Sequence, residues 1–449
     1  MDTPICDFVK EYASQDPVRF HMPGHKGRGD EACKYDITEI DGADYLGEPE
    51  GIIKKSEENA GRLFDAVTIY STEGSSLCIR AMLFLVMKKA MMEGKKAQVL
   101  AARNVHASFL SAAAILDIEV DFLMQREEES YESCTVLPED ISEYLKGLDD
   151  DQKPTALYVT SPDYPGNLLD IDGLSKTCHS NGMLRIVDNA HGAYLKFLKE
   201  PLHPISRGAD MCCDSAHKTL PVLTGGAYLH ISHNTDPILK NFAKQAMSVF
   251  ATTSPSYLIL QSLDRCNLFL ENNTVIQETA DKVSVLKDHL KGLGFSLKGE
   301  EPLKITVDRL NGDELAAFLS ERDIFLEYHD RDMAVMMFAA DNTDEDFERL
   351  KKALSEYSHN IKIYDRVEET GAKSLSCKKR VLPKRAMSFR EAMFADSEQV
   401  DTKESVGRTL AEMLVHCPPC VPPYMLGEEI GEDITRYHSG MIRVVKAIK

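Results

Sequence analysis

No stretch of this sequence is apolar for long enough to cross a bilayer as a helix. The richest one, residues 81–92, is broken by Lys88 and Lys89 and falls short of the ~20 residues that a span needs. Basic charge is also scarce. The 52 Lys and Arg are outnumbered by 72 Asp and Glu, and the net charge of -20 argues against a nucleic-acid surface and fits a field that draws small cations. The first residues carry Asp2, Asp7 and Lys10 and lack the basic start and apolar run of a secretory leader, so a cytoplasmic chain is expected. No internal repeat or low-complexity tract is present. The eleven cysteines, Cys212 and Cys213 adjacent among them, read as reduced thiols rather than a disulfide framework. What is there is 449 residues with 43% apolar content, enough for a large core in roughly two or three domains.

After a short helical candidate, residues 21–28 (His21-Met-Pro-Gly-His-Lys-Gly-Arg28) are too rich in Pro and Gly for a long helix or regular strand and read as an arm or binding loop. Short apolar runs then alternate with helical patterns. The runs are Val67 to Ser71, Ala97 to Ala101, Val120 to Leu123, Ala156 to Thr160, Leu184 to Asp188, Met211 to Asp214 and Ala227 to Ile231. Helices are expected at Ser76 to Glu93, His106 to Leu116 and Ile171 to Asn181. Such alternation predicts a mostly parallel sheet covered on both faces, with ligands at the carboxyl ends of its strands. An amphipathic stretch from Ser256 to Leu293, broken near Asn272 and Asn273, leads to a change of rhythm. Strands at Leu303 to Val307, Ile324 to Tyr328 and Met333 to Phe338, with helices near Asp313 to Ser320 and Asp344 to Tyr357, predict a smaller α+β domain. The division expected is an arm (1–35), a large domain (36–295), a small domain (296–372) and a C-terminal segment (373–449).

Two strand ends carry the chemistry. One apolar run closes on Asp188, ahead of Asn189-Ala190-His191-Gly192, and the next on Ser215-Ala-His217-Lys218, so an acid and an amine face one crevice. Pyridoxal 5'-phosphate (PLP) needs both: the amine forms a Schiff base, and the carboxylate keeps the pyridine nitrogen protonated, which makes the ring an electron sink. Gly74, Ser75 and Ser76 open a helix after another strand, where free N–H groups and hydroxyls can cradle a phosphate. By itself that pattern reads more often as a plain N-cap.

These segments, with others in the same order, resemble the fold-type-I PLP-dependent ornithine/lysine/arginine decarboxylases in their short form. The likeness is carried by Met22-Pro-Gly-His-Lys-Gly27, Asp36-Ile-Thr-Glu-Ile40, Glu73-Gly-Ser-Ser76, Ala102-Arg-Asn-Val-His106, Thr160-Ser-Pro-Asp-Tyr-Pro-Gly166, Val187-Asp-Asn-Ala-His-Gly192, Ser215-Ala-His-Lys-Thr-Leu-Pro221 and Thr253-Ser-Pro-Ser-Tyr257. Ser388-Phe-Arg-Glu-Ala392 and Cys417-Pro-Pro419 extend it nearly to the end. The resemblance implies an α/β fold with a PLP-transferase-like large domain, a mostly parallel sheet and a smaller α+β C-terminal domain. It implies Lys218 as the Schiff-base lysine, Asp188 as partner of the pyridine nitrogen and His106 as the ring that stacks on the cofactor. Gly74, Ser75, Ser76, Ser215 and His217 fall at the phosphate, and Ala190 lies under the ring. Thr253 and Ser254 would reach the phosphate from a neighbouring subunit, hence a homodimer with shared sites, higher assembly left open. His25 and Lys26 of the arm, and Glu428, are the substrate-side candidates. The implied reaction removes the α-carboxylate of a basic amino acid, with arginine ahead of lysine and ornithine because short-form members are often arginine decarboxylases. The amine product belongs to polyamine metabolism.

Three positions depart from the family's pattern: Ala107 where Lys is usual, Asn189 where Glu is usual, and Cys420 where Gly is usual. Two other readings remain open: another fold-type-I enzyme (aminotransferase, aldolase or lyase), or a catalytically silent PLP-binding regulator. Plainer explanations are preferred elsewhere. Cys417, Cys420 and His416 as a redox pair or half a zinc site yields to the family's Pro-rich segment. His21 and His25 have metal-like spacing, but Pro23 and Gly24 remove the helix that would align them, and no metal is expected. His191 is expected to bond near its own turn, and Met82, Met87, Met91 and Met92 to fill a helix core.

Overall fold

The computed structural model describes residues 1–126, 129–271, 274–368 and 383–446. Helix α1 (Pro4–Ser14) starts on a proline, whose missing N–H is harmless in a first turn, and the arm then leads to α2 (Ile52–Phe64). Seven strands form one sheet: β1 (Ala66–Ser71), β2 (Gln98–Ala102), β3 (Glu119–Leu123), β4 (Ala156–Thr160), β5 (Leu184–Asp188), β6 (Met211–Asp214) and β7 (Ala227–Ser232). Their order across the sheet is β1-β7-β6-β5-β4-β2-β3, and β2 to β6 pair in parallel. β7 is antiparallel to both its neighbours, so β1 points the same way as the parallel strands. The carboxyl ends of β1, β2, β4, β5 and β6 therefore share one edge of the sheet, the edge where open α/β sheets collect ligands.

Alternation along each strand divides the core. Val99 and Ala101 of β2 pack with α3 (Gly74–Met92) and α4 (Ala107–Leu116) on one face. Leu100 and Ala102 pack with α5 (Pro138–Leu145) and α6 (Ile171–Ser180) on the other. Since both faces are covered, the strands read as nearly continuous apolar runs. Of the methionines of α3, Met82 is buried and Met87 packs against this core, whereas Met91 and Met92 are 64% and 59% exposed.

A single helical turn, α7 (Ala216–Thr219), follows β6. Then come α8 (Pro237–Asn241), α9 (Ala243–Ser248), α10 (Tyr257–Glu271) and α11 (Val275–Gly292). The break expected at Asn272 and Asn273 lies outside the described residues. A second, four-stranded antiparallel sheet follows, ordered β10-β11-β9-β8, from β8 (Ser296–Lys298), β9 (Lys304–Asp308), β10 (Tyr328–His329) and β11 (Met333–Met337). Helices α12 (Gly312–Ser320) and α13 (Asp344–Glu368) accompany it. The strand expected at Ile324 to Tyr328 is reduced to its last residue plus His329, because Ile324 N–H is spent on Leu319 in a turn and Phe325 is 79% exposed. This sheet is fastened to the loop after β4: Glu301 N–H donates to Gly166 O, and Thr306 Oγ1 to Pro165 O at 2.7 Å. The expected boundary at 372/373 lies outside the described residues. Beyond it, a capping box of Ser388 and Glu391 starts α14 (Phe389–Phe394), and β12 (Ser397–Asp401) pairs with β13 (Met441–Val445). Among the described residues no helix is long and apolar enough to cross a membrane. The α/β class with a mostly parallel large sheet and a smaller α+β unit is as the sequence predicts.

Candidate active site

Lys218 projects from α7, directly after β6. Its Nζ lies 2.7 Å from His191 Nε2, and the opposite ring nitrogen, Nδ1, lies 2.8 Å from Lys304 Nζ. His191 therefore does not simply bond near its own turn. It bridges two lysines, because the turn after β5 faces the amino end of β9. Lys304 is 2% exposed, forms an ion pair 2.7 Å from Glu301 Oε2 and donates to Asp163 O at 3.3 Å. Burial holds Lys218 below its ordinary range, with Asp188 pulling the other way, and burial followed by the two lysines pushes His191 well below its own.

Asp188, 3% exposed at the end of β5, accepts from Tyr158 Oη at 3.3 Å and from Ala190 N–H at 3.2 Å, with Cys213 Sγ at 3.6 Å. His106 caps α4. Ser108 N–H donates to its Nδ1 at 3.1 Å, which leaves the ring proton of the neutral form on Nε2. Burial lowers the His106 pKa against the pull of Asp188, and Lys218 adds to the lowering. Asp188 and Lys218 both act on the charge of His106, and Asp188 acts on that of Lys218.

Next to them is a cradle at the amino end of α3. Gly74 adopts φ +70°, its N–H donates to Gly225 O at 2.7 Å, and a Cβ built there would meet no atom within 4 Å. Ser215 Oγ donates to Ser75 Oγ at 2.9 Å, so the loop after β6 and the start of α3 meet here. Ser76 lies one residue further along, among the N–H groups that have no partner inside the helix. His217 Nδ1 donates to Gly226 O at 2.9 Å, which keeps Nε2 unprotonated in the neutral ring. Thr252 N–H donates to Glu73 just ahead of the cradle, and Thr253 and Ser254 beyond it are exposed.

The substrate-side candidates are not drawn into this cluster. His25 contacts Asp36 at 3.2 Å and accepts from Gly27 N–H, and Lys26 donates to His21 O at 2.7 Å, so both are engaged inside the arm. Glu428 is buried against Arg103, which donates to both carboxylate oxygens. His416 bonds to Tyr437 O rather than joining Cys417 and Cys420. Among the described residues one group has ligand-like spacing, His203, Asp214 and His230, all buried. Hydrogen bonds account for it: both Nε2 atoms contact Asp214 Oδ2, at 3.0 and 3.1 Å, and Thr68 Oγ1 meets His230 Nδ1 at 2.9 Å. Burial would raise the Asp214 pKa, but the two imidazoles hold it well below the carboxylate range.

Two of the departures have a structural account. Asn189 Nδ2 donates to Asp214 Oδ1 at 2.7 Å, where a Glu would set a second carboxylate against the first. Cys420 adopts φ +56°, the left-handed region that favours the family's glycine, and its carbonyl accepts from Ala107 N–H at 2.9 Å, which brings the C-terminal segment to the His106 helix. Residues not anticipated include Lys304, Glu301 and Tyr158. Tyr164 is another: its ring lies edge-on to His191, with 5.3 Å between centroids, and its hydroxyl donates to Glu327 at 3.1 Å. A lone Lys in the apolar run Leu303 to Val307 was the one sequence signal for Lys304.

Comparison with known proteins gives a consistent result. Residues 3–307 match the model for the Orn/Lys/Arg decarboxylase family, major domain. An arginine decarboxylase of Bacillus subtilis is 28% identical, covering 97% of this chain and 93% of its own. One of Halalkalibacterium halodurans is 29% identical, covering 97% and 92%. The crystal structure of the Francisella novicida lysine decarboxylase superposes with a TM-score of 0.79 at 18% identity, over 99% of this chain and 81% of that one, which establishes a shared fold. The chain belongs to the Orn/Lys/Arg decarboxylase family and is a decarboxylase.

Proposed function

We propose that this enzyme uses PLP carried on Lys218 to decarboxylate a basic amino acid, L-arginine before L-lysine or L-ornithine, releasing CO2 and an amine of the polyamine class. The observation that carries the reading is the meeting of an amine, a buried carboxylate and an imidazole (Lys218, Asp188, His106) beside a helix-start cradle. The residues fit PLP: the Gly74 cradle is open where a Cβ would stand, and Ser75, Ser76 and Ser215 offer donors for a phosphate, with His217 two residues on from Ser215. Bound PLP supplies a sink for the electron pair that CO2 leaves behind.

The protein's own groups do the rest. Asp188 would favour the protonated form of the pyridine nitrogen when PLP is bound, since a nearby opposite charge favours the charged form. His106 would pack against bound PLP, and the small Ala190 would leave room for it. Lys218 Nζ and His106 Nε2 are the groups placed to deliver a proton. Glu327, held by Tyr164 and within the field of Lys218, is the carboxylate we assign to the substrate's distal cation in place of Glu428. The exposed Thr253 and Ser254 complete the phosphate site of a partner subunit in a homodimer. The large unit to about 295, the small α+β unit and the C-terminal segment are taken as separate domains, with the arm and its His25 and Lys26 reaching outward and the chain working in the cytoplasm.

The test is to incubate the purified protein and PLP separately with arginine, lysine and ornithine, and to assay agmatine, cadaverine and putrescine. Agmatine from arginine is the expected outcome. Absence of all three amines would refute the reading.

A further inference from the structure

The mechanism requires Lys218 as a nucleophile, and an amine condenses with a carbonyl only through its lone pair. An ordinary lysine near neutral pH has that lone pair free in roughly one molecule in a thousand. The surroundings of Lys218 address this shortage. A neutral imidazole offers one N–H and one lone pair, whereas an ammonium offers only protons. His191 faces a lysine nitrogen on each side, at 2.7 and 2.8 Å. With the ring neutral, one of the two lysines must be the free amine.

Contacts decide which. Lys304 has the carboxylate of Glu301 at 2.7 Å and the carbonyl of Asp163 at 3.3 Å, the company of an ammonium. Lys218 has no carboxylate within ion-pair distance among the described residues.

We infer that Lys304 is a positioning residue acting on Lys218 through His191: its ammonium donates to Nδ1, fixes the Nε2–H tautomer, and that N–H donates to Lys218 Nζ and holds it as the uncharged amine. This rests on the reading of Lys218 as the point of cofactor attachment, but its test needs neither cofactor nor turnover. The other groups that face Lys218 are Asp188, His106, His217, Glu327 and Cys420. Asp188 and Glu327 favour the ammonium, so the bond from His191 works against them. The arrangement also makes the smaller sheet, through the first residue of β9, part of the site.

The test is competitive labelling of the cofactor-free protein with acetic anhydride across pH, with Lys218 acetylation quantified by peptide mass spectrometry. Lys304→Met should slow labelling of Lys218 at pH 7 by about tenfold, one unit of pKa. His191→Phe should slow it similarly, and the double variant no more than either. Lys304→Gln, which keeps an N–H for Nδ1 without the charge, should restore most of the rate. Losses that multiply in the double variant, a Gln variant as slow as Met, or an unchanged Met variant would each overturn the inference. Because Lys304→Met strands a buried Glu301, a second measurement needs no change at Lys304. Imidazole 15N NMR of the cofactor-free protein, with His191→Gln for assignment, should show His191 protonated on Nε2 and bare on Nδ1. The opposite tautomer would overturn the inference as well. Loss of amine production with labelling as described would refute the proposed function and leave this relay standing.

Discussion

Arg103 and Glu428 form a buried pair in which Nη2 donates to both carboxylate oxygens, at 2.8 and 2.9 Å, with the side chains 2% and 6% exposed. Arg103 follows β2 by one residue and lies three before His106, so the pair pins the C-terminal segment beside the site. Met425 N–H adds a further bond to Glu428 Oε2 at 2.6 Å.

Removing one member of such a pair leaves the other charge buried. Glu428→Ala should therefore destabilise the protein by about 3–5 kcal/mol, read from chemical denaturation. A variant with unchanged stability but a raised KM would return Glu428 to the substrate.

Asp188→Asn keeps the shape and removes the charge. Cofactor affinity should change little, while kcat falls by about a hundredfold or more, the scale of a lost electrostatic partner in a transition state. Equilibrium dialysis of PLP beside a decarboxylation assay separates the two effects. Equal losses in both would make Asp188 a binding residue only.

Ser75→Ala and Ser215→Ala each remove one of the paired hydroxyls proposed to hold the cofactor's phosphate. Each should weaken PLP binding by about 1.5–3 kcal/mol, measured by titration, with the melting temperature of the cofactor-free protein nearly unchanged. Unaltered affinity would place the phosphate elsewhere.

His106 gives a prediction in pH. Burial sets its folded pKa below the ordinary value near 6.5, so as pH falls past that point the unfolded chain takes up a proton that the folded one refuses. Stability is then lost towards lower pH, by at most about 1.4 kcal/mol per unit. His106→Phe lacks this loss. Between pH 7.5 and 5.5 the cofactor-free wild type should lose more stability than the variant, and parallel losses would show that His106 titrates normally.

The large sheet was legible because its strands are buried on both faces and end at marked positions. β4, β5 and β6 begin and end where their apolar runs do, and Lys218 lies within the field of Asp188. The same reading failed where tertiary partners decide the outcome. A histidine in a turn carries no sign that two lysines will flank it, and Lys304 is distant in sequence from His191. Glu428 was read as a substrate-side carboxylate because its partner Arg103 belongs to another part of the chain. Ile324 to Tyr328 has strand-like composition, but a local turn claims its first N–H. For His25 and Lys26 the resemblance pointed to a substrate and for Thr253 and Ser254 to a neighbouring subunit, whereas here the first two bond inside the arm and the last two are exposed.

Every role proposed for the site depends on Lys218 as the residue that carries the cofactor. Borohydride reduction of the PLP-loaded enzyme, followed by peptide mapping, tests it most directly. A reduced pyridoxyl group is expected on Lys218 and is lost in Lys218→Ala. A label on Lys304 or another lysine, or a fully active Lys218→Ala protein, would contradict it.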